Sequence, residues 1–424
     1  MDEGTLRELL AHASAEPPAG PMAGKALAAG IRLRRRRRIQ ATAACAGVIV
    51  VACVAVPVLT RASARPPAPV QGLRPPTAYI ANSNSNTLTP ISTATNKAGK
   101  PIRVGPAGAG PYAMAVTPDG RTLYVADESA GTVVPVSTAT HKTGKPIKVG
   151  HLPFLIAITP DGKTAYVANQ QPGTITPIAT ATNTPGKPIT IGRTHATEAN
   201  AIVFTADGKT AYAANYGSDT VVPFATDTNT PGKPIKVGYK AESIVITPDG
   251  KTAYVASWGS DAIVPFATAT NAPGRPITVG LHPSQLVITP DGRTVYVANF
   301  GSGTVVPIAT ATNTPGKPIR VSARPDEIAI TPNGKTVYVG SYHANTVTPI
   351  STATNTAGTP IKVASMPDAL AVTPDGKTVY VASLVGITSG AFPPGVVTPI
   401  STATNKAGKP IPVGQGPAAI VFAR

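Results

Sequence analysis

Four aromatic residues recur at one spacing in the middle of the chain: Tyr216, Trp258, Phe300 and Tyr342 stand 42 residues apart. Rings presented together on a surface can stack on sugars or grip a peptide, and rings buried between repeats serve packing instead. The aligned positions elsewhere hold Ser83, Glu128, Gln170 and Leu384, so an aromatic arc would occupy one sector only. A second group is acidic: Glu242, Asp326, Glu327 and Asp368. Carboxylates of this kind can hold Ca2+. They come from three repeats, two of them non-adjacent, so solvated charges at a rim are the favoured reading. His151, His195, His282 and His343 share no spacing or partner and read as surface histidines. The chain has no Gly-x-Ser-x-Gly, no His-Glu-x-x-His and no phosphate loop. No catalytic residue, metal or cofactor is therefore assigned.

These positions are carried by a repeat. The turn Thr-Pro-Asp-Gly begins at Thr117, Thr159, Thr247, Thr289 and Thr373, with variants at Thr205 and Thr331. The tyrosine of a Tyr-Val-Ala-Asn segment recurs from Tyr79 to Tyr380. A Thr-Ala-Thr-Asn turn recurs from Asn96 to Asn405, with His141 in place of one Asn. Each unit offers four short strands. Strand A runs into Thr-Pro-Asp-Gly, strand B holds the tyrosine, strand C is Thr-Val-Val-Pro-Ile and strand D is Lys-Pro-Ile-Lys-Val-Gly. Four antiparallel strands in about 42 residues predict a β-propeller blade. Pro inside strand C predicts a bulge or strand end there, and Pro in strand D would blunt an outer edge. The array opens at strand B (Thr77–Ala81) and closes on an isolated strand A within 416–424. The expectation is an all-β propeller of eight blades, with seven as the runner-up, its last strand completing the first blade.

Thr-Pro-Asp-Gly-Lys-Thr, Tyr-Val-Ala-Asn and Thr-Ala-Thr-Asn, repeated in register over residues 77–424, strongly resemble the YVTN family of β-propeller repeats, also found in surface-layer-type proteins. The resemblance implies a propeller with a binding or surface role and transfers no catalytic residue. Members usually have seven blades where eight units are countable here. The usual Ile-Asp before Thr-Ala-Thr is Ile-Ser or Ile-Ala here, as at Ile91-Ser92.

Antiparallel strands place the A–B and C–D turns on one face, the bottom, and the B–C and D–A loops on the other, the top. Departures from the 42-residue spacing, at Pro106–Gly110, Arg193–Glu198 and Val385–Pro394, all fall in top loops, where repeat proteins tend to bind. Assigning the lysines and arginines after Gly and before Pro to the bottom, together with Lys97, Lys142 and Lys406, makes that face strongly basic.

Ahead of the repeats, residues 1–38 end in Arg34–Arg38, and residues 39–60 are 22 uncharged residues, enough to cross a bilayer. The positive-inside rule places the arginines in the cytoplasm and the propeller outside. Residues 61–76 form a Pro-rich spacer. Ala62-Ser63-Ala64 offers a cleavage-site alternative and Val50-Val51-Ala52-Cys53 a lipoprotein-like one. The length of the apolar run favours an uncleaved single-pass anchor, and all three readings export the propeller.

The expected function is a non-enzymatic extracytoplasmic scaffold taking a glycan, peptide or protein on its top face. An anionic membrane or cell-wall polymer is a candidate partner of the basic face, and export disfavours nucleic acid. The alternative is a lactonase- or lyase-like propeller enzyme with its site in the top funnel.

Overall fold

A computed structural model of the chain describes residues 75–171, 173–192, 199–385 and 393–423. The anchor, most of the spacer and His195 lie outside the described residues. No helix among the described residues is long and apolar enough to cross a membrane.

Strand B sets the architecture. In Thr294–Asn299 every residue after the first is buried, and the same pattern holds in the other blades. A strand buried on both faces must lie in a sheet with neighbours on either side, so it reads as a continuous apolar run rather than an alternating one. The chain meets this with eight antiparallel sheets, each ordered A-B-C-D. Their cores are layers between adjacent sheets. Tyr296 and Ala298 of the sixth blade, for example, pack on Ile328, Val337 and Val339 of the seventh.

The first blade is built from both ends of the array. Pro417–Ala423 pairs with Thr77–Asn82 in register from Thr77↔Ala423 to Ala81↔Ala419. It also packs on the A strands of the second blade (Pro111–Val116) and the eighth (Pro367–Val372), which closes the ring of A strands. The eight-bladed propeller expected from the repeats is the observed fold.

Strand C departs from expectation in its detail. It runs unbroken through its proline: Thr87–Ser92 pairs with Thr77–Asn82 residue for residue, with Tyr79 opposite Pro90. The carbonyl of Pro90 faces strand D, where it accepts from Gly99 N–H at 2.8 Å. The missing N–H of Pro90 therefore points to D as well, and the B–C ladder loses nothing. The irregularity falls on D, which is split into Lys97–Ala98 and Ile102–Arg103 with one extra residue between them. A Cβ on Gly99 would stand 3.2 Å from Pro90 Cγ, which explains the glycine before each outer Lys-Pro.

The bottom turns are tied into the frame. In the second blade, Thr117 Oγ1 donates to Asp119 Oδ1 at 2.6 Å, and Asp119 Oδ1 accepts from Arg121 N–H at 3.1 Å. These bonds hold the Asp119 carboxyl below its ordinary range. Thr138 of the C–D turn donates to the Gly120 carbonyl at 2.7 Å, joining the two bottom turns.

A second set of bonds joins blade to blade. The hydroxyl of each strand-B tyrosine donates to the turn Asn of the next blade: Tyr124 to Asn183 at 2.6 Å, Tyr212 to Asn271 at 2.9 Å, Tyr254 to Asn313 at 2.7 Å and Tyr338 to Asn405 at 2.6 Å. Tyr166 and Tyr296 repeat it with Asn229 and Asn355. Tyr380 donates to Asn96, so the latch also spans the closing seam. Each of these asparagines is left-handed, with φ between 53° and 56°, a conformation Asn tolerates better than most residues. Burial pushes Tyr254 above its ordinary value and Tyr296 up to about 12. At the seam between the first and second blades His141 replaces Asn, with Nε2 3.1 Å from the Tyr79 hydroxyl and its ring edge-on to Tyr79.

Candidate functional site

The top face is built from B–C loops and the D–A loops that overlie them. In the fifth blade the B–C loop begins with a single 3-10 turn, Trp258–Ser260. Trp258 N–H donates to the Lys240 carbonyl, and Phe300 N–H donates to the His282 carbonyl one blade on. The D–A residue at each crossing is left-handed: Lys240 (φ 61°), His282 (φ 54°), Arg324 (φ 56°) and Met366 (φ 55°). Side-chain oxygens hold three of these amides. Asp219 accepts from Lys240 N–H, Asp261 from His282 N–H and Asn345 from Met366 N–H, at 2.7 to 2.8 Å. The left-handed residue thus stands 24 positions after each aromatic, as from Tyr216 to Lys240.

This geometry divides the predicted aromatic arc. Trp258 is buried, 3 % exposed, with its ring stacked on His282 at 4.7 Å and 4°. It packs over its neighbouring blade. Phe300 lies 5.4 Å from Trp258 and carries the Arg324 guanidinium 5.7 Å above its ring. The Lys240 ammonium lies 5.2 Å from the Tyr216 ring, and Tyr342 meets His343 edge-on at 5.3 Å. Tyr216, Phe300 and Tyr342 are half-buried. Each cation-aromatic contact favours the charged side chain.

The surface presented to solvent comes from residues the sequence reading missed. Tyr239 and Leu281 are 55 % and 53 % exposed, the exposed large hydrophobics of the described residues. They precede Lys240 and His282 in successive D–A loops, with exposed His282 and Arg324 beside them. The signal was present as a second 42-residue register, Tyr239–Leu281 and Lys240–His282–Arg324, at an offset from the aromatic one. Arg324 Nη1 lies 3.0 Å from His343 Nε2, and burial together with that guanidinium lowers the His343 pKa.

The acidic group sits on the A strands and is not a set of solvated rim charges. Glu242 and Glu327 are 5 % and 7 % exposed. Asn200 donates to Glu242 Oε2 at 3.1 Å, and Gln285 to Glu327 Oε1 at 3.2 Å, each from the preceding blade. Burial, reinforced by Asp326 and Asp368, raises the Glu327 pKa well above the carboxylate range. The burial has a steric cause: at the top of strand A the side chain is enclosed by the A strand of the adjacent blade. Asp326 and Asp368 are half-buried beside it. Among the described residues no three carboxylate, imidazole or thiol groups converge to hold a metal ion. His151 is exposed, as expected of a surface histidine.

One top-side position separates the second blade from the rest. At the end of strand B the chain places Asn82, Asp127, Asn169, Asn215, Ser257, Asn299, Ser341 and Ser383. Six of the asparagines and serines donate: Asn215 to the Ile191 carbonyl, Asn299 to Val279, Ser257 to Val237, Ser341 to Ser322, and Asn82 and Asn169 to threonine hydroxyls of strand C. Asp127 is wholly buried against Gly105, and neither carboxyl oxygen has a hydrogen-bond partner among the described residues. Burial raises its pKa to about 7.

The comparisons with known proteins agree on the architecture. The family model "Lactonase, 7-bladed beta-propeller" matches residues 228–318, about two blades of the eight. No curated protein matches the chain by sequence. Among solved structures, the dihydro-heme d1 dehydrogenase NirN, in complex with DHE, is similar at 15% identity and TM-score 0.68, over 85% of this chain and 77% of that one. Apo AztD from Citrobacter koseri is similar at 13% identity and TM-score 0.61, over 82% and 98%. Kuenenia stuttgartiensis hydrazine synthase is similar at 23% identity and TM-score 0.55, over 70% and 96%. At these identities the likeness is one of fold: the chain is a β-propeller repeat protein.

Proposed function

We propose that the chain is a non-enzymatic binding scaffold, displayed outside the membrane by residues 39–60, that takes a glycan, peptide or protein on its top face over the fourth to seventh blades. The observation that carries this reading is the exposure of Tyr239 and Leu281 beside Lys240, His282 and Arg324. Rings and aliphatic side chains give contact area there, and the flanking cations give orientation. Tyr216, Phe300 and Tyr342 support this surface from below, and Trp258 is structural. A glycan-and-peptide array probed with the full chain in detergent micelles tests the reading. Wild type should mark a discrete set of ligands, and the double variant Tyr239→Ala/Leu281→Ala should lose them. An empty array, or identical signals from the double variant, would reject it.

The lactonase family match favours a second reading, a hydrolase with its site among Glu242, Asp326, Glu327 and Asp368. A carboxyl whose pKa is raised by burial is suited to general acid–base work. Lactone hydrolysis by wild type that disappears in Glu327→Gln would favour this reading over the scaffold.

A further inference from the structure

Strand D forms the outer wall of every blade, and its charge has one sign. Residues that the spacing assigned to the bottom turns, Lys100, Lys145, Lys187, Lys233, Arg275, Lys317 and Lys409, stand instead midway along strand D. The split of strand D opposite the strand-C proline moves them off the bottom face and onto the circumference. Arg103, Lys148, Lys236 and Arg320 follow three residues later on the same strands, and Lys362 holds that place in the seventh blade, where Thr359 stands at the first. All twelve are exposed. The outer strands hold no carboxylate and no aromatic ring. Ion pairs among the described residues involve Arg121, Lys163, Arg293 and Lys377, each with its own turn aspartate, and none of the twelve.

The cations form a continuous track. The second half of each outer strand lies against the first half of the next: Ile189–Thr190 beside Thr230–Pro231, Ile235–Lys236 beside Ala272–Pro273, and Ile411–Pro412 beside Lys97–Ala98 at the closing seam. Grooves run between neighbouring outer strands. One of about 600 Å3 is lined by Lys233, Lys236, Asn271 and Pro273. Another of about 570 Å3 is lined by Lys100, Arg103, His141 and Lys142.

We infer that this belt is a docking surface for a linear anionic polysaccharide that follows the circumference from blade to blade. Three features select that partner. Every blade contributes at least one cation, so binding is distributed along a path, which suits a chain of repeated charges. A flat bilayer could touch only a few blades of a circular wall, whereas a flexible polymer can follow many. The outer strands offer no ring on which a nucleobase could stack, the feature that single-strand readers use, and the His141 imidazole beside one groove is engaged edge-on with Tyr79. Lysine and proline on an outer strand also keep it from pairing with another sheet. That purpose is served by charges of both signs, and it does not account for twelve of one sign.

The test uses the full chain in uncharged detergent micelles and alginate, a linear uronate polymer, as the probe. Arms with anionic phospholipid vesicles and a single-stranded oligonucleotide run in parallel. Two charge-reversed variants are compared: Lys233→Glu/Lys236→Glu/Arg275→Glu/Lys317→Glu/Arg320→Glu on the belt, and Lys163→Glu/Lys209→Glu/Lys251→Glu in the bottom turns. Wild type should bind alginate with an affinity that falls linearly in log–log against salt, and the belt variant should lose about ten-fold or more at fixed salt. The bottom-turn variant should stay within about two-fold, because its cations lie off the track. Unchanged thermal midpoints confirm that both variants fold. Absence of alginate binding, equal losses in the two variants, or a belt-dependent preference for vesicles or oligonucleotide would overturn the inference. The outcome is independent of the top-face reading, since neither variant touches Tyr239 or Leu281.

Discussion

The bottom and top of the propeller use the same backbone register for opposite ends. At the bottom every seam repeats one solution: a buried strand-B tyrosine reaches the next blade's turn, and seven of the eight partners are left-handed asparagines. At the top the B–C and D–A loops also repeat their backbone contacts, yet their side chains differ from blade to blade. Tyr239, Leu281, His282 and Arg324 occupy one sector there. Tolerance to substitution follows from this contrast. A buried tyrosine at the bottom serves two blades at once, whereas an exposed loop side chain at the top, such as Tyr239, sits on backbone bonds that survive its replacement.

The largest losses are expected at Tyr254 and Trp258, both buried. Truncating Tyr254 to Ala empties a fully buried site and should cost about 3–5 kcal/mol of unfolding free energy, read by denaturant titration. Trp258→Ala should cost about as much, although Trp258 is at the top, because its ring is equally enclosed. A loss below about 1 kcal/mol for Trp258→Ala would place it among the solvent-facing residues.

Next comes Asp127. Its carboxyl has a folded-state pKa of about 7, above the ordinary value of the unfolded chain, so the folded state holds the extra proton. Stability from this group is complete below about pH 4 and falls as pH rises towards 7. It stays low above that. Asp127→Asn replaces the acid with the residue used at Asn82, Asn169, Asn215 and Asn299. The variant should gain stability over wild type between about pH 4 and 7, by up to about 4 kcal/mol. Unfolding midpoints measured at pH 5 and pH 8 check this, and a gain that is equal at both values would show that the carboxyl is ionised throughout.

Tyr254→Phe keeps the ring and removes the hydroxyl from Asn313, leaving a polar group short of a partner, at about 1–3 kcal/mol. Tyr239→Ala should change stability by about 0.5 kcal/mol or less.

Much of this was legible because the chain repeats itself. The turn residues Thr-Pro-Asp-Gly, the strand-B tyrosine and the terminal strand within 416–424 were enough to derive eight closed blades. The pairing of that tyrosine with the turn Asn was not legible, since the two stand 59 to 67 residues apart in different blades, or 284 apart at the closure. Nor was the place of Lys100 and its equivalents. Spacing put them beside a turn, and only the bulge imposed by the strand-C proline shows that they belong to the wall. The acidic residues were misjudged for a related reason: the period locates Glu242 and Glu327 at strand ends, but the neighbouring A strand that holds their partners Asn200 and Gln285 comes from the preceding repeat.

The account rests on the closing seam being equivalent to the others, with the terminal strand seated in the first blade and Tyr380 latched to Asn96. Denaturant unfolding of Tyr380→Phe beside Tyr254→Phe measures this directly. Equal losses, within about 0.5 kcal/mol, are predicted. No loss for Tyr380→Phe, with the full loss for Tyr254→Phe, would mean that the ring is open where the two ends of the array meet.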